Sequence, residues 1–275
     1  MSLSPVPALP PPPHLDDPDE DDDGSIGGKM SFLEHLDELR QRLIRALLSV
    51  IGGFIIAAFF INYIFAFIMN PLQAVLPHGG KLIFTEPAEG FLLQMKMAAL
   101  AGLMLALPVL LWQLWAFIAP GLYAHEKRFA IPFVAMSTTF FIAGAMFSHY
   151  VVFPAAWAFF ASFATDTVEF APRIGPTFSL YVRMALGLGA VFEMPTLVMF
   201  LARVGLVTPR YMIRNTKYAV LIIFVVAAIV TPGSDPVSLF LVAVPMIGLY
   251  AFSIVVAWIF KKRRTPEPAS ADDVA

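Results

Sequence analysis

Long apolar runs alternate with short basic stretches along this chain, and that alternation constrains its fold more than any other feature. The runs near Leu43 to Ile64, Met95 to Ile118, Phe129 to Phe153, Leu180 to Leu201, Tyr218 to Val230 and Val237 to Phe260 are long enough, or nearly so, to cross hydrocarbon about 30 Å thick. In lipid every backbone N–H and C=O must find an internal partner, so such runs are expected to be helices. With 59% apolar and only 14% charged residues and a mean hydropathy of +0.76, the chain lies outside the soluble globular range. The expected class is an all-α polytopic membrane protein with six transmembrane helices.

The charges between the runs predict its orientation. Arg40, Arg42 and Arg45, then Lys127 and Arg128, then Arg203, Arg210, Arg214 and Lys217, then Lys261, Lys262, Arg263 and Arg264 all fall on one side of this map. Of 18 Lys and Arg, only Lys81, Lys96, Arg173 and Arg183 fall on the other. Basic residues are retained on the cytoplasmic face, so the topology reads N-in, C-in. Residues 1–29 read as a disordered, acidic, Pro-rich cytoplasmic tail with no apolar core of signal-peptide length; residues 30–260 as the membrane domain; residues 261–275 as a cytoplasmic C-terminal tail. The net charge of −2 arises largely from the N-terminal acids and implies no nucleic-acid partner. The absence of cysteine excludes disulfides, a catalytic thiol and thiolate metal sites.

Within this frame a few polar residues stand out. Ser31 to Arg45 combines a capping-box pair, Ser31 and Glu34, with an apolar stripe at Phe32, Leu33, Leu36, Leu39 and Leu43, and predicts an amphipathic helix lying on the bilayer beside the first span. Its Glu38, together with Glu126 in the loop Ala119-Pro-Gly-Leu-Tyr-Ala-His-Glu-Lys-Arg128, puts two carboxylates at the cytoplasmic face. Carboxylates bind guanidinium groups in a two-pronged geometry, so an arginine-rich peptide is a natural ligand. Arg42, Lys127 and Arg128 are internal alternatives as partners, and Glu38 with Arg42 is a favourable i, i+4 helical pair.

Glu193 lies about ten residues from Arg203, hence roughly 15 Å into the membrane. A carboxyl at that depth costs about 2.5 to 3.5 kcal/mol on insertion scales, so it is expected to face a cavity or a partner helix, with Pro195 bending the span beside it. Packing within the bundle is the alternative. The fifth run has only 13 residues, which predicts a short span met either by local membrane thinning or by snorkelling of its polar flanks, and Thr231-Pro-Gly-Ser-Asp-Pro236 predicts a tight outer turn. The outer segments Asn62 to Gln94 and Pro154 to Ser179 are expected to form an external cap.

No hydrolase, zinc-protease or phosphate-loop motif is present, and the five His residues are scattered. His149 reads as a packed residue rather than a ligand. No enzyme activity, metal or cofactor is expected. From the residues alone a proton-coupled secondary transporter with Glu193 as its ion site stays open, and an intramembrane hydrolase lacks a visible pair of catalytic groups.

Taken together, Phe32-Leu-Glu-His-Leu-Asp-Glu-Leu-Arg-Gln-Arg-Leu43, Pro108-Val-Leu-Leu-Trp-Gln-Leu-Trp-Ala-Phe-Ile-Ala-Pro-Gly-Leu-Tyr-Ala-His-Glu-Lys-Arg128, Phe192-Glu-Met-Pro195 and Thr231-Pro232 resemble TatC, the polytopic subunit of the twin-arginine protein translocase. The resemblance runs from about Met30 to Lys261 and leaves out the acidic tail. It implies a six-helix cup or glove with short fifth and sixth spans. It also implies a receptor in the bacterial cytoplasmic membrane for twin-arginine signal peptides of folded cargo. Glu38 and Glu126, with Arg40 and Arg128 beside them, match the family's signal-peptide positions, Glu193 its buried acid, and Pro71 and Asp235 positions in its outer cap. Implied partners are TatA-like and TatB-like single-span proteins, the lipid bilayer and other copies of the chain. Export is then driven by proton-motive force without nucleotide hydrolysis. At the start of the sixth span some relatives carry a glutamine, where this chain has Ser238 and Leu239.

Overall fold

A computed structural model of the chain describes residues 32–73, 82–118, 127–165, 170–231 and 236–260. Its helices are α1 (Phe32–Phe59), α2 (Ile61–Gln73), α3 (Glu89–Ile118), α4 (Lys127–Phe147), α5 (Phe153–Ala161), α6 (Ile174–Phe192), α7 (Met194–Val204), α8 (Pro209–Arg214), α9 (Thr216–Val230) and α10 (Pro236–Phe260). A π-helical turn, Ser148–Val152, joins α4 to α5, and the pairs α4–α5 and α6–α7 each form one long apolar crossing. Among the described residues five helical stretches are long and apolar enough to cross a membrane, and α9 is a sixth, shorter apolar helix.

Two expectations about the spans are corrected. The amphipathic segment that begins at Phe32 is not a separate helix on the bilayer surface; it continues without a break into the first span as a single helix of 28 residues. No proline lies between Leu33 and Phe59, and charge alone does not break a helix, since Arg40, Arg42 and Arg45 can extend their head groups toward water. Ser31, the expected cap, lies outside the described residues. The sixth span is also not short: α10 has 25 residues, or about 37 Å, because it starts directly on Pro236 and accommodates Pro245 in its interior. The fifth is short as expected, α9 having 15 residues or about 22 Å.

Between helices in lipid, association depends on close packing, because the surrounding tails are as apolar as the side chains. Gly53 of α1 and Gly102 of α3 meet backbone to backbone, and a Cβ on either would collide with main-chain atoms of the other helix. Gly189 of α6 admits the Phe141 ring of α4 in the same way, and Gly144 of α4 lies against the Leu188 carbonyl and the Phe192 ring. The largest cluster of buried side chains, including Leu72, Met97, Phe153, Phe178, Met184, Leu188, Ile223 and Met246, joins α2, α3, α5, α6, α9 and α10. A smaller one around Leu111, Trp115, Phe133, Val134 and Met199 joins α3, α4 and α7. The α7 helix stops at Gly205, whose φ of 86° is a left-handed turn that glycine adopts without strain.

The two outer segments are tied together, as the expected cap requires. Ile83 N–H donates to the Pro172 carbonyl at 3.2 Å, and Ile174 N–H returns the bond to Ile83 O at 2.9 Å. Glu89 accepts from Gly175 N–H at 2.9 Å through one oxygen and from Thr85 N–H at 3.0 Å through the other. Arg173 donates to the Thr85 hydroxyl at 2.6 Å. Pro71 sits in the last turn of α2, next to the buried Leu72, and Asp235 lies outside the described residues.

Candidate functional site

Two of the polar groups predicted as functional lie at separate places, Glu38 at the start of α1 and Glu193 at the junction of α6 with α7. At the first, Glu38 is held by its own helix. Arg42, one turn on, donates to Glu38 Oε1 from Nε at 2.9 Å and also from Nη2. The two side chains are 19% and 21% exposed, so the pair is largely shielded. Glu38 Oε2 is buried, accepts no hydrogen bond among the described residues, and lies 3.7 Å from His35 Nδ1. The imidazole of His35 stacks on Phe117 near the end of α3, with ring centres 4.5 Å apart and planes 11° apart. That stack links the Glu38 turn to the helix that leads into the loop bearing Glu126.

Leu33, Glu34, Asp37, Glu38, Gln41, Arg42 and Arg45 line an open cleft of 780 Å³ along this face of α1. The structure therefore brings Glu38 together with Arg42 and His35. It does not bring Arg40 to Glu38: two residues apart on a helix they point to different faces, and Arg40 is exposed. Glu126 lies outside the described residues. Arg128 falls in the first turn of α4, and its side chain lies outside them too.

At the second place, Glu193 occupies the break between α6 and α7. Its N–H bonds to Ala190 O at 3.2 Å, its carbonyl accepts from Leu197 N–H at 2.9 Å, and Pro195 sits in the first turn of the helix that restarts. Ser137 of α4 donates to Glu193 Oε2 at 2.6 Å, and Trp115 Nε1 of α3 donates to the Ser137 hydroxyl at 3.0 Å. Ser137 is fully buried and Trp115 is 4% exposed. A relay of three polar side chains thus crosses three spans and ends on a half-buried carboxyl whose other oxygen, like the buried Thr196 hydroxyl, has no hydrogen-bond partner among the described residues. The expected partner helix for Glu193 is α4.

Sequence reasoning did not single out Ser137, Trp115, Phe117 or the role of His35. Trp115 and Phe117 lie in a motif that the sequence offers intact, whereas a lone serine in an apolar run carries no signal. His149 is packed, as expected: it is 2% exposed, stacks on Phe67 at 4.2 Å and shares a hydrogen bond of 3.1 Å with Tyr181 Oη. It lines an apolar groove of 640 Å³ together with residues of α1, α2, α3, α4 and α6. Among the described residues no cluster of three His, Asp or Glu could hold a metal ion.

Fold and sites together define a multi-pass α-helical membrane protein with one carboxylate site at the end of its first span and another inside the bundle. Residues 34–245 match the family described as Sec-independent protein translocase protein (TatC), and the chain belongs to that family, one of translocases and not of enzymes. The TatC of Desulforapulum autotrophicum is 40% identical over 243 residues, 88% of this chain and 90% of that protein. The TatC of Helicobacter pylori strain J99 is 41% identical over 225 residues, 81% of this chain and 87% of that one. A crystal structure described as the twin-arginine translocase receptor TatC superposes with a TM-score of 0.71 at 33% identity, covering 82% of this chain and 99% of the other.

Proposed function

We propose that this protein is the receptor subunit of a twin-arginine translocase, binding the paired arginines of signal peptides on folded cargo at Glu38 and Glu126. The observation that carries this reading is Glu38 itself: a shielded carboxylate already bonded by two guanidinium nitrogens of one arginine, at the basic end of the first span. The same geometry suits an arginine from a ligand. Arg128 and Arg40 then border the peptide, Arg40 from the exposed side of α1 and not through Glu38. The apolar part of the signal peptide runs along the bundle toward Glu193. Pro71 and Asp235 support the outer cap.

Membership of this family supports the rest of the proposal. The chain resides in a bacterial cytoplasmic membrane with both termini inside, residues 1–29 and 261–275 forming cytoplasmic tails. It assembles with TatA-like and TatB-like single-span partners and with further copies of itself, and export runs on proton-motive force. The test is binding of a twin-arginine signal peptide and of its Lys-Lys variant to the detergent-solubilised chain. Charge-assisted hydrogen bonds of this kind are worth about 1.5 to 3 kcal/mol, so E38Q or E126Q should weaken binding by roughly tenfold or more, and Lys-Lys should do the same. Binding indifferent to all three changes overturns the proposal.

A further inference from the structure

The Glu38 carboxylate that the proposed function assigns to the ligand is engaged internally, and this changes what its affinity measures. Arg42 presents Nε and Nη2 to a single oxygen of Glu38 in the largely shielded turn of α1, so the site already holds the chemical group it would receive. A ligand arginine that takes the same geometry must displace Arg42 from Oε1, because Oε2 is buried beside His35 Nδ1 at 3.7 Å. In the same cleft, Gln41 donates to Asp37 at 3.0 Å, so the neighbouring acid is engaged too. Arg45 faces the same cleft one turn further along and is exposed.

Resting on the receptor reading, we infer that Arg42 is an internal stand-in for the ligand arginine, lowering the affinity of the Glu38 site and easing release of the bound peptide. The effect follows from competition. If the internal pair holds Glu38 for a given fraction of the time, every ligand that needs that carboxylate binds more weakly by the same factor. Arg42 therefore sets how tightly the site holds a peptide without setting its preference for arginine over lysine. Helical i, i+4 ion pairs and partly exposed pairs are worth little individually, so the factor is about two- to fivefold.

The experiment titrates the full-length, detergent-solubilised chain with a twin-arginine peptide and its Lys-Lys variant, comparing wild type with R42Q, R42K and R45Q. R42Q is expected to tighten both peptides by the same two- to fivefold factor, leaving their ratio unchanged, and to speed neither peptide's dissociation. R42K, which keeps the charge but offers no fork of two nitrogens, should tighten both by a smaller factor, a gain that removal of charge cannot explain. R45Q removes a charge from the same cleft without freeing Glu38 and should change affinity by less than R42Q does. Weaker or unchanged binding in R42Q makes Arg42 a support for Glu38 and overturns the inference, as does equal tightening in R42Q and R45Q with none in R42K. The receptor reading fails separately, and this inference with it, if binding is indifferent to Lys-Lys, E38Q and E126Q alike.

Discussion

Ser137 is the smallest polar group in the relay and the one on which the other two depend. Ser137→Ala removes the donor to Glu193 and the acceptor for Trp115 together, leaving the buried Trp115 Nε1 and the half-buried Glu193 Oε2 without that partner in an apolar surrounding. Each such loss costs about 1 to 3 kcal/mol, so thermal unfolding in detergent should shift downward by several degrees, whereas S137T, which keeps the hydroxyl, should recover most of the loss. His35 offers a second test at this scale. Its stack on Phe117 joins α1 to the end of α3, so H35A should weaken twin-arginine peptide binding by a few fold, the worth of about 0.5 to 1.5 kcal/mol for a ring pair, and H35F should retain it in the same titration. Glu38 and Glu193 were legible in the sequence because a carboxylate beside or within an apolar run demands a partner. Their partners were legible only where helical spacing supplied one, as for Arg42. Ser137 lies 56 residues from Glu193, and nothing local marks the pairing.

Among the elements, the apolar runs predicted the crossings well because hydrocarbon thickness sets one length for all of them. Their ends were less legible, since the end of a helix depends on breakers and packing and not on charge. This is why α1 extends back to Phe32 through three arginines, and why α4 passes into α5 through a π-helical turn, where Phe153 N–H reaches Ser148 O just before Pro154. The short α9 is the element with the clearest consequence. At about 22 Å against a neighbour of about 37 Å, α9 shares one bilayer thickness with α10 only if lipid thins beside it, its flanks snorkel or α10 tilts. Inserting four leucines before Ile229 would lengthen α9 by about 6 Å. If local thinning serves export, that variant should bind signal peptide like wild type and export cargo markedly less in membrane vesicles; unimpaired export would show that the short span is not used in this way.

At the scale of the whole molecule, α1 is the span least embedded in the bundle, with only 11% of its apolar window buried, against 44% for α3 and 44% for the α6–α7 crossing. The proposed peptide site is therefore carried on the helix with the least support, and that support is concentrated on α3, at Gly53 against Gly102 and at His35 against Phe117. Neighbouring glycines on α1 separate the effect of close approach from that of composition. At Gly53 a side chain would strike the α3 backbone, which cannot yield as a flexible side chain does, whereas a Cβ at Gly52 meets nothing within 4 Å. G53L should push α1 away from α3, lower thermal stability and reduce peptide binding, because the Glu38 turn would lose its register with the end of α3. G52L adds the same side chain one residue earlier and should leave both nearly unchanged. Cross-linking between α1 and α3 read beside the peptide titration checks the coupling directly: loss of the cross-link with binding retained would mean that the Glu38 site functions on α1 alone, independent of the bundle.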